Sequence, residues 1–92
     1  MSNAKIIGKV ITIYEEKLYT EENIQFLTEM IDRNDVDLRI MSTRFFRYCP
    51  SDYAIASILA SDDNRIEHLK NKIIDEIPQD RLLYLEDLIP QF

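Results

Sequence analysis

Glycine is almost absent from this 92-residue chain, where Gly8 is the only one. A phosphate-binding loop, a dinucleotide-binding turn and a nucleophile elbow each need several glycines, because their backbone must turn sharply or approach a ligand closely. The scarcity of glycine therefore argues against most nucleotide-dependent enzymes. We expect a protein that is not an enzyme and that needs no cofactor.

Cysteine is equally scarce, and the single Cys49 excludes an internal disulfide and any CxxC metal or redox motif. A lone thiol fits a reducing compartment, so we expect a cytoplasmic protein. A catalytic cysteine would need a nearby base. The only histidine, His68, is predicted to lie opposite the apolar stripe of its own helix. We therefore expect Cys49 to be a buried structural residue.

Long apolar runs and metal-binding motifs are also missing. No run approaches the roughly 18 apolar residues of a membrane span, and no signal-peptide pattern is visible. The acidic stretches 32–37 and 61–64 lack the glycine and terminal glutamate of a calcium loop, so they read as helix caps. We expect no metal site and no contact with a membrane. Residues 1–4 have the composition of a tag remnant or a disordered start, and residues 5–92 are predicted to form a single helical domain.

The charge is acidic but unevenly distributed. The net charge is −6, and three arginines without any acidic neighbour fall in residues 38–50, between two strongly acidic segments. A chain of this charge is repelled by a phosphate backbone, so direct binding of nucleic acid is not expected. It would be attracted to a basic protein partner.

Apolar residues recur with helical spacing along the chain. Residues 5–19 place their apolar side chains on one broad face, although their β-branched residues leave a strand as an alternative. Thr20, Ser51 and Asp80 are predicted helix N-caps, and residues 61–64 end one helix and open another. The pattern predicts an all-α compact bundle of five or six short helices.

The last predicted helix is apolar almost all round, which is typical of a helix buried on several sides or covered by a partner. This pattern suggests a homodimer whose contact residues would be Leu82, Leu85, Leu88 and Ile89.

A second candidate contact surface lies in residues 39–49, with the sequence RIMSTRFFRYC. On a helical wheel its arginines fall opposite an apolar face. One interpretation is an ordinary amphipathic helix with a solvated basic face. The other is a docking face for a protein, because arginine and aromatic residues are enriched at interface hot spots. In that case Arg39, Arg44, Phe46 and Arg47 are the candidate partner-binding residues.

Residues 48–78 contain Tyr48 three residues before Ser51-Asp52, an Asp63-x-Arg65-Ile66 motif, and a closing stretch that ends in Ile77-Pro78. In these features the chain resembles the Hha family of small helical modulators, which bind the nucleoid protein H-NS. The resemblance covers about a third of the chain. The segment before Thr20 and the acidic charge balance have no counterpart in that family. The resemblance implies a helical regulator in which Asp63 and Arg65 match the partner-binding motif.

The sequence therefore favours a non-enzymatic protein-protein interaction domain. One hypothesis is a small acidic regulator that binds another protein, which would itself bind nucleic acid if the Hha resemblance holds. The alternative is an inhibitor of the immunity-protein or antitoxin kind, in which an acidic surface blocks a basic toxin or nuclease.

Overall fold

The chain is described by a computed structural model for residues 3–33 and 48–92, and within these ranges it is helical with no strand. The described ranges contain five α-helices: α1 (Asn3–Glu16), α2 (Glu21–Asp32), α3 (Pro50–Ala60), α4 (Glu67–Glu76) and α5 (Gln79–Tyr84). Short 3-10 turns occupy Asn64–Ile66 and Ile89–Gln91. The predicted all-α fold is confirmed.

The first segment is a helix, so the strand alternative is wrong. Ile6, Val10 and Ile13 are buried and recur every three or four residues, which is the spacing of one helical face. Packing of this face outweighs the weak helix propensity of β-branched residues. The helix ends at Glu16, because the next residue, Lys17, has a left-handed φ of 53°, and the Leu18 N–H donates to the Ile13 carbonyl at 3.0 Å.

The start of α2 agrees with the sequence prediction. The Thr20 hydroxyl accepts a hydrogen bond from the Asn23 N–H at 3.2 Å, so Thr20 is the N-cap. Glu21 and Glu22 occupy the first turn, where the helix dipole favours negative charge.

The predicted cap of α3 at Ser51 is wrong. The N-cap is Cys49, two residues earlier, and the helix begins at Pro50. Proline suits the first helical position because the N–H it lacks would have no partner inside the helix. The carboxylate of Asp52 accepts a hydrogen bond from the Cys49 N–H at 3.0 Å. Ser51 is not the cap, and it lies buried in the first turn of the helix.

The predicted cap of α5 at Asp80 is also wrong, by two residues. Pro78 is the N-cap, and the helix begins at Gln79. Asp80 instead contributes a carboxylate to the first turn, where it meets the positive end of the helix dipole.

The third helix is the centre of the core. It packs against α1, α2, α4 and the C-terminal 3-10 turn. Ala54, Ile55, Ala56 and Ile58 are fully buried, so nearly every face of this helix is covered. The buried hydroxyl of Ser57 donates to the Ala54 carbonyl at 2.8 Å, which spares it the cost of an unpaired polar group.

Candidate interaction surface

Asp63 and Arg65 form a bidentate ion pair at the 3-10 turn before α4. Asp63 is the N-cap of this turn, and its Oδ1 accepts the backbone N–H of Arg65 at 2.9 Å. The Arg65 side chain donates from Nε to Oδ1 at 2.9 Å and from Nη2 to Oδ2 at 2.8 Å. The guanidinium is therefore held in one orientation by its neighbour in sequence.

Arg65 also joins this turn to the segment that follows α1. Its Nη2 donates to the Lys17 carbonyl at 3.0 Å, and its guanidinium carbon lies 5.4 Å from the centre of the Tyr19 ring. The left-handed backbone of Lys17 ends α1 at this point. Although anchored on both sides, the Arg65 side chain remains 52% exposed. It is thus a rigid cation that is still accessible to a partner.

A buried hydroxyl pair lies beneath this ion pair. The Tyr19 hydroxyl donates to the Ser61 hydroxyl oxygen at 3.1 Å, and the Asp63 N–H donates to the same oxygen at 3.2 Å. Burial is the main reason that the pKa of Tyr19 is raised, because it disfavours the phenolate. Ser61 therefore links the loop before α2 to the cap of the 3-10 turn.

The ion pair sets the ionisation of both partners. Hydrogen bonds from the Arg65 side chain, and then from its backbone N–H, lower the pKa of Asp63 from 3.8 to about 2. The same side-chain bonds raise the pKa of Arg65. Both groups stay charged at any physiological pH, so the pair is a permanent feature of this surface.

Exposed carboxylates occur in the chain segments that adjoin the ion pair. We use the name acidic end for the surface that comprises the last turn of α1, the first turn of α2 and the adjoining loop before α4. Its exposed carboxylates belong to Glu15, Glu16, Glu21, Glu22 and Asp62. None of these five forms a salt bridge within residues 3–33 and 48–92. Their charges are available to an external partner.

Two acidic groups elsewhere in the bundle, Asp32 and Glu76, share one basic partner. The Lys72 ammonium lies 3.0 Å from the Asp32 carboxylate and 2.7 Å from that of Glu76, and these contacts raise the pKa of Lys72. Because Lys72 belongs to α4 and Asp32 to α2, this cation also joins two helices.

A second charged cluster, which the sequence prediction missed, joins α3 to α5. Arg81 donates to the Asp52 Oδ1 from Nε at 3.2 Å and from Nη2 at 2.9 Å, and Nη2 also donates to the Ser51 hydroxyl at 2.7 Å. Asp52 is fully buried and the Arg81 side chain is 15% exposed. The Cys49 sulfur lies 3.4 Å from the Ser51 hydroxyl. This cluster is mostly enclosed, so it fastens helices together rather than facing a partner.

The predicted buried cysteine is confirmed, and the predicted dimer contact needs correction. Cys49 is 2% exposed. Leu85 and Leu88 are buried in the chain's own core, because α5 ends at Tyr84 and the turns after it face inward. They are not available for a dimer contact. Leu82 and Ile89 are half-buried, and the exposed leucine of this segment is Leu83. Self-association stays a prediction.

The candidate residues on the arginine-rich stretch, Arg39, Arg44, Phe46 and Arg47, lie outside the described residues. Asp63 and Arg65 are the two sequence-predicted site residues that the structure describes, and it brings them together. The Hha resemblance was the signal that named these two residues, and their ion pair itself was not predicted. The contact with Lys17, 48 residues away, has no signature in the sequence.

Two further observations concern the described part of the chain. It contains no cluster of three or more metal-ligating side chains, and none of its helices is both long and apolar enough to cross a membrane. Comparisons with protein-family models, curated proteins and solved structures found no match.

Proposed function

We propose that this protein is an interaction domain that regulates a nucleic-acid-binding protein by docking its acidic end on a basic surface of that partner. The observation that carries the proposal is the group of exposed carboxylates without a salt bridge in the segments that adjoin the Arg65 side chain. Unpaired charges of one sign attract a partner of opposite charge over distances of several ångströms and increase the association rate.

Arg65 gives this surface directional specificity. Its guanidinium is already oriented by Asp63 and by the Lys17 carbonyl, so little side-chain entropy is lost when a partner contacts it. Arginine is also one of the residues most enriched at interface hot spots. The Hha resemblance supports the same assignment, because Asp63 and Arg65 match the motif through which that family binds its nucleoid protein.

The acidic end also favours a second function, that of an immunity protein or antitoxin. Such an inhibitor would cover the basic active site of a nuclease or toxin with its carboxylates. The two functions use the same surface and differ in what Arg65 contributes. A regulator of the Hha kind needs the Asp63–Arg65 pair, whereas an inhibitor that blocks a basic site depends on the carboxylates.

The test begins with affinity capture from a lysate of the source organism, identification of the captured protein by mass spectrometry, and reconstitution with purified partner. Charge reversal by Glu21→Lys and Glu22→Lys together should weaken binding about tenfold or more, mainly through slower association. The matched control is Asp75→Lys with Glu86→Lys, which changes the net charge equally at exposed sites outside the acidic end. Equal loss in both double variants, or a captured partner without a basic surface, would refute the proposal.

Arg65→Met separates the two functions. It keeps the length of the side chain and removes the cation, and Lys70→Met is the matched control on α4. A regulator should lose binding in Arg65→Met and keep it in Lys70→Met. An inhibitor should bind a basic nuclease or toxin equally well in both variants.

A further inference from the structure

A surface cleft of about 250 Å³ lies where α1, α3 and the C-terminal 3-10 turn meet. Its floor is formed by the buried Leu88, and its rim by the exposed Glu15 and Gln91. The residues that line it are Ile11, Tyr14, Glu15, Tyr53, Leu88, Gln91 and Phe92. The cleft therefore runs from a polar rim to an apolar floor.

Aromatic rings form the walls of the cleft. The rings of Tyr14 and Phe92 have centroids 5.2 Å apart and stand at 77° to each other. Tyr53 contributes the third ring, and Tyr48 packs against it edge to face with centroids 6.2 Å apart. The faces of aromatic rings carry negative electrostatic potential, so several rings around one space favour a cation.

The charge on the rim has the same sign. Glu15 is the carboxylate among the lining residues, none of which is basic, and it forms no salt bridge within the described ranges. The amide nitrogen of Gln91 donates to the Asp87 carbonyl at 2.9 Å, which leaves the Gln91 side-chain oxygen as an acceptor. The rim thus offers a negative charge and a hydrogen-bond acceptor.

The size of the cleft narrows the choice of ligand. Pockets for drug-sized molecules have volumes of about 300–1,000 Å³, so this cleft suits a single side chain better than a nucleotide. Lysine and arginine bury their methylene stems against apolar surface and keep the charged group at the edge. The apolar floor and the aromatic walls of the cleft suit the methylene stem, and the negative rim suits the charged group.

We propose that this cleft binds a lysine or arginine side chain of the basic partner. The inference rests on the proposed function, and Glu15 connects the two sites because it belongs to both the acidic end and the cleft. A partner docked on the acidic end would place its basic surface next to the opening. The inserted side chain would then anchor the complex, while the remaining carboxylates steer its approach.

The direct test is an NMR titration of the whole chain with N-acetyl-L-arginine amide. Saturable shifts are expected for the resonances of Tyr14, Tyr53 and Phe92. N-acetyl-L-citrulline amide is the neutral isostere of this probe, and it should bind at least about fivefold more weakly because it lacks the cation. N-acetyl-norleucine amide tests whether an apolar stem alone is sufficient.

Two variants locate the binding on the protein. Glu15→Gln should weaken binding of the arginine probe about two- to fivefold, as expected for an exposed charge pair. Glu16→Gln removes the same charge from the next residue, which does not line the cleft, and should bind as the unmodified chain does. Tyr14→Leu removes one ring and should weaken binding about two- to fivefold.

Equal binding of citrulline or norleucine would overturn the proposal, because the cleft would then be a neutral apolar pocket. Equal loss in Glu15→Gln and Glu16→Gln, or the absence of saturable shifts, would overturn it as well. None of these results affects the proposed function, which is tested with the protein partner through Glu21, Glu22 and Arg65. A failure of either proposal is thus recognised separately.

Discussion

Replacement of Arg81 by methionine tests whether the enclosed charged cluster stabilises the bundle. Arg81→Met retains an apolar stem of similar length and removes the guanidinium. The substitution removes both hydrogen bonds from Arg81 to the Asp52 carboxylate and the one to the Ser51 hydroxyl. Asp52 is fully buried, so water does not replace the lost donors without rearrangement.

The expected loss follows from the burial of the two partners. Removing one partner of a buried ion pair costs about 3–5 kcal/mol. The Arg81 side chain is 15% exposed, and solvent at that edge reduces the penalty, so we expect a loss of about 2–3 kcal/mol. A domain of this size typically has about 5–15 kcal/mol of stability in total. The midpoint of thermal unfolding should therefore fall by about 10–20 °C.

Urea denaturation followed by circular dichroism measures this change. Lys70→Met is the control for loss of a surface cation, and it should stay within about 0.5 kcal/mol of the unmodified chain. A double-mutant cycle with Asp52→Asn, which retains an oxygen to accept the Cys49 N–H, should give a coupling energy of about 1.5–3 kcal/mol. A loss in Arg81→Met no larger than the control, or a coupling energy near zero, would refute the reasoning.

Three further predictions concern the core and the acidic end. Ile55→Ala leaves a cavity in the fully buried face of α3 and should cost about 2–5 kcal/mol in urea denaturation; a cost below 1 kcal/mol would contradict the central position of this helix. Tyr19→Phe removes the buried hydrogen bond to Ser61 and should lower the free energy of unfolding by about 0.5–1.5 kcal/mol. Tyr14→Phe is the control at a half-buried tyrosine that does not bind Ser61, and it should lower the free energy of unfolding by less. Asp63→Asn keeps a capping side chain but loses the charge. Because the folded pKa of Asp63 is lowered from 3.8 to about 2, its carboxylate stabilises the fold above pH 4, and this contribution is lost as the pH falls toward 2. The difference in unfolding temperature between Asp63→Asn and the unmodified chain should therefore be present at pH 7 and disappear near pH 2; a difference that is independent of pH would contradict the assignment.

The parts of the fold that depend on local chemistry could be predicted from the sequence. Thr20 caps α2 through a hydrogen bond to a residue three positions away, and the apolar spacing of α1 is visible within a few turns. The N-cap of α3 was predicted at Ser51, a common capping residue, whereas the helix begins at Pro50. Proline serves equally well as the first residue of a helix, and the cap then falls on a cysteine, which is not a common capping residue.

The candidate surface could be predicted only in part. Asp63 and Arg65 were named through the Hha resemblance, and their ion pair, between residues two positions apart, appears only in the structure. Arg81 and Asp52 lie 29 positions apart, and no periodicity connects them. The burial of Leu85 and Leu88 also depends on tertiary packing, because an apolar segment has the same sequence whether its own core or a partner covers it.

The acidic end combines part of the negative charge of the chain with one oriented cation. A net charge of −6 spread evenly over the surface would mainly aid solubility. Within the described residues, Glu15, Glu16, Glu21, Glu22 and Asp62 form no salt bridge, and neither do exposed carboxylates on other helices such as Glu29, Glu67 and Asp75. What distinguishes the acidic end is Arg65, which joins α1 to the turn before α4.

The measurement that tests the central claim most directly is the affinity of the purified partner for the two double charge reversals. Glu21→Lys with Glu22→Lys should weaken binding about tenfold or more, with most of the change in the association rate and a smaller change at high salt. Asp75→Lys with Glu86→Lys should bind like the unmodified chain. Unchanged binding in the first variant, or the same loss in both, would contradict the claim that the acidic end is the docking surface.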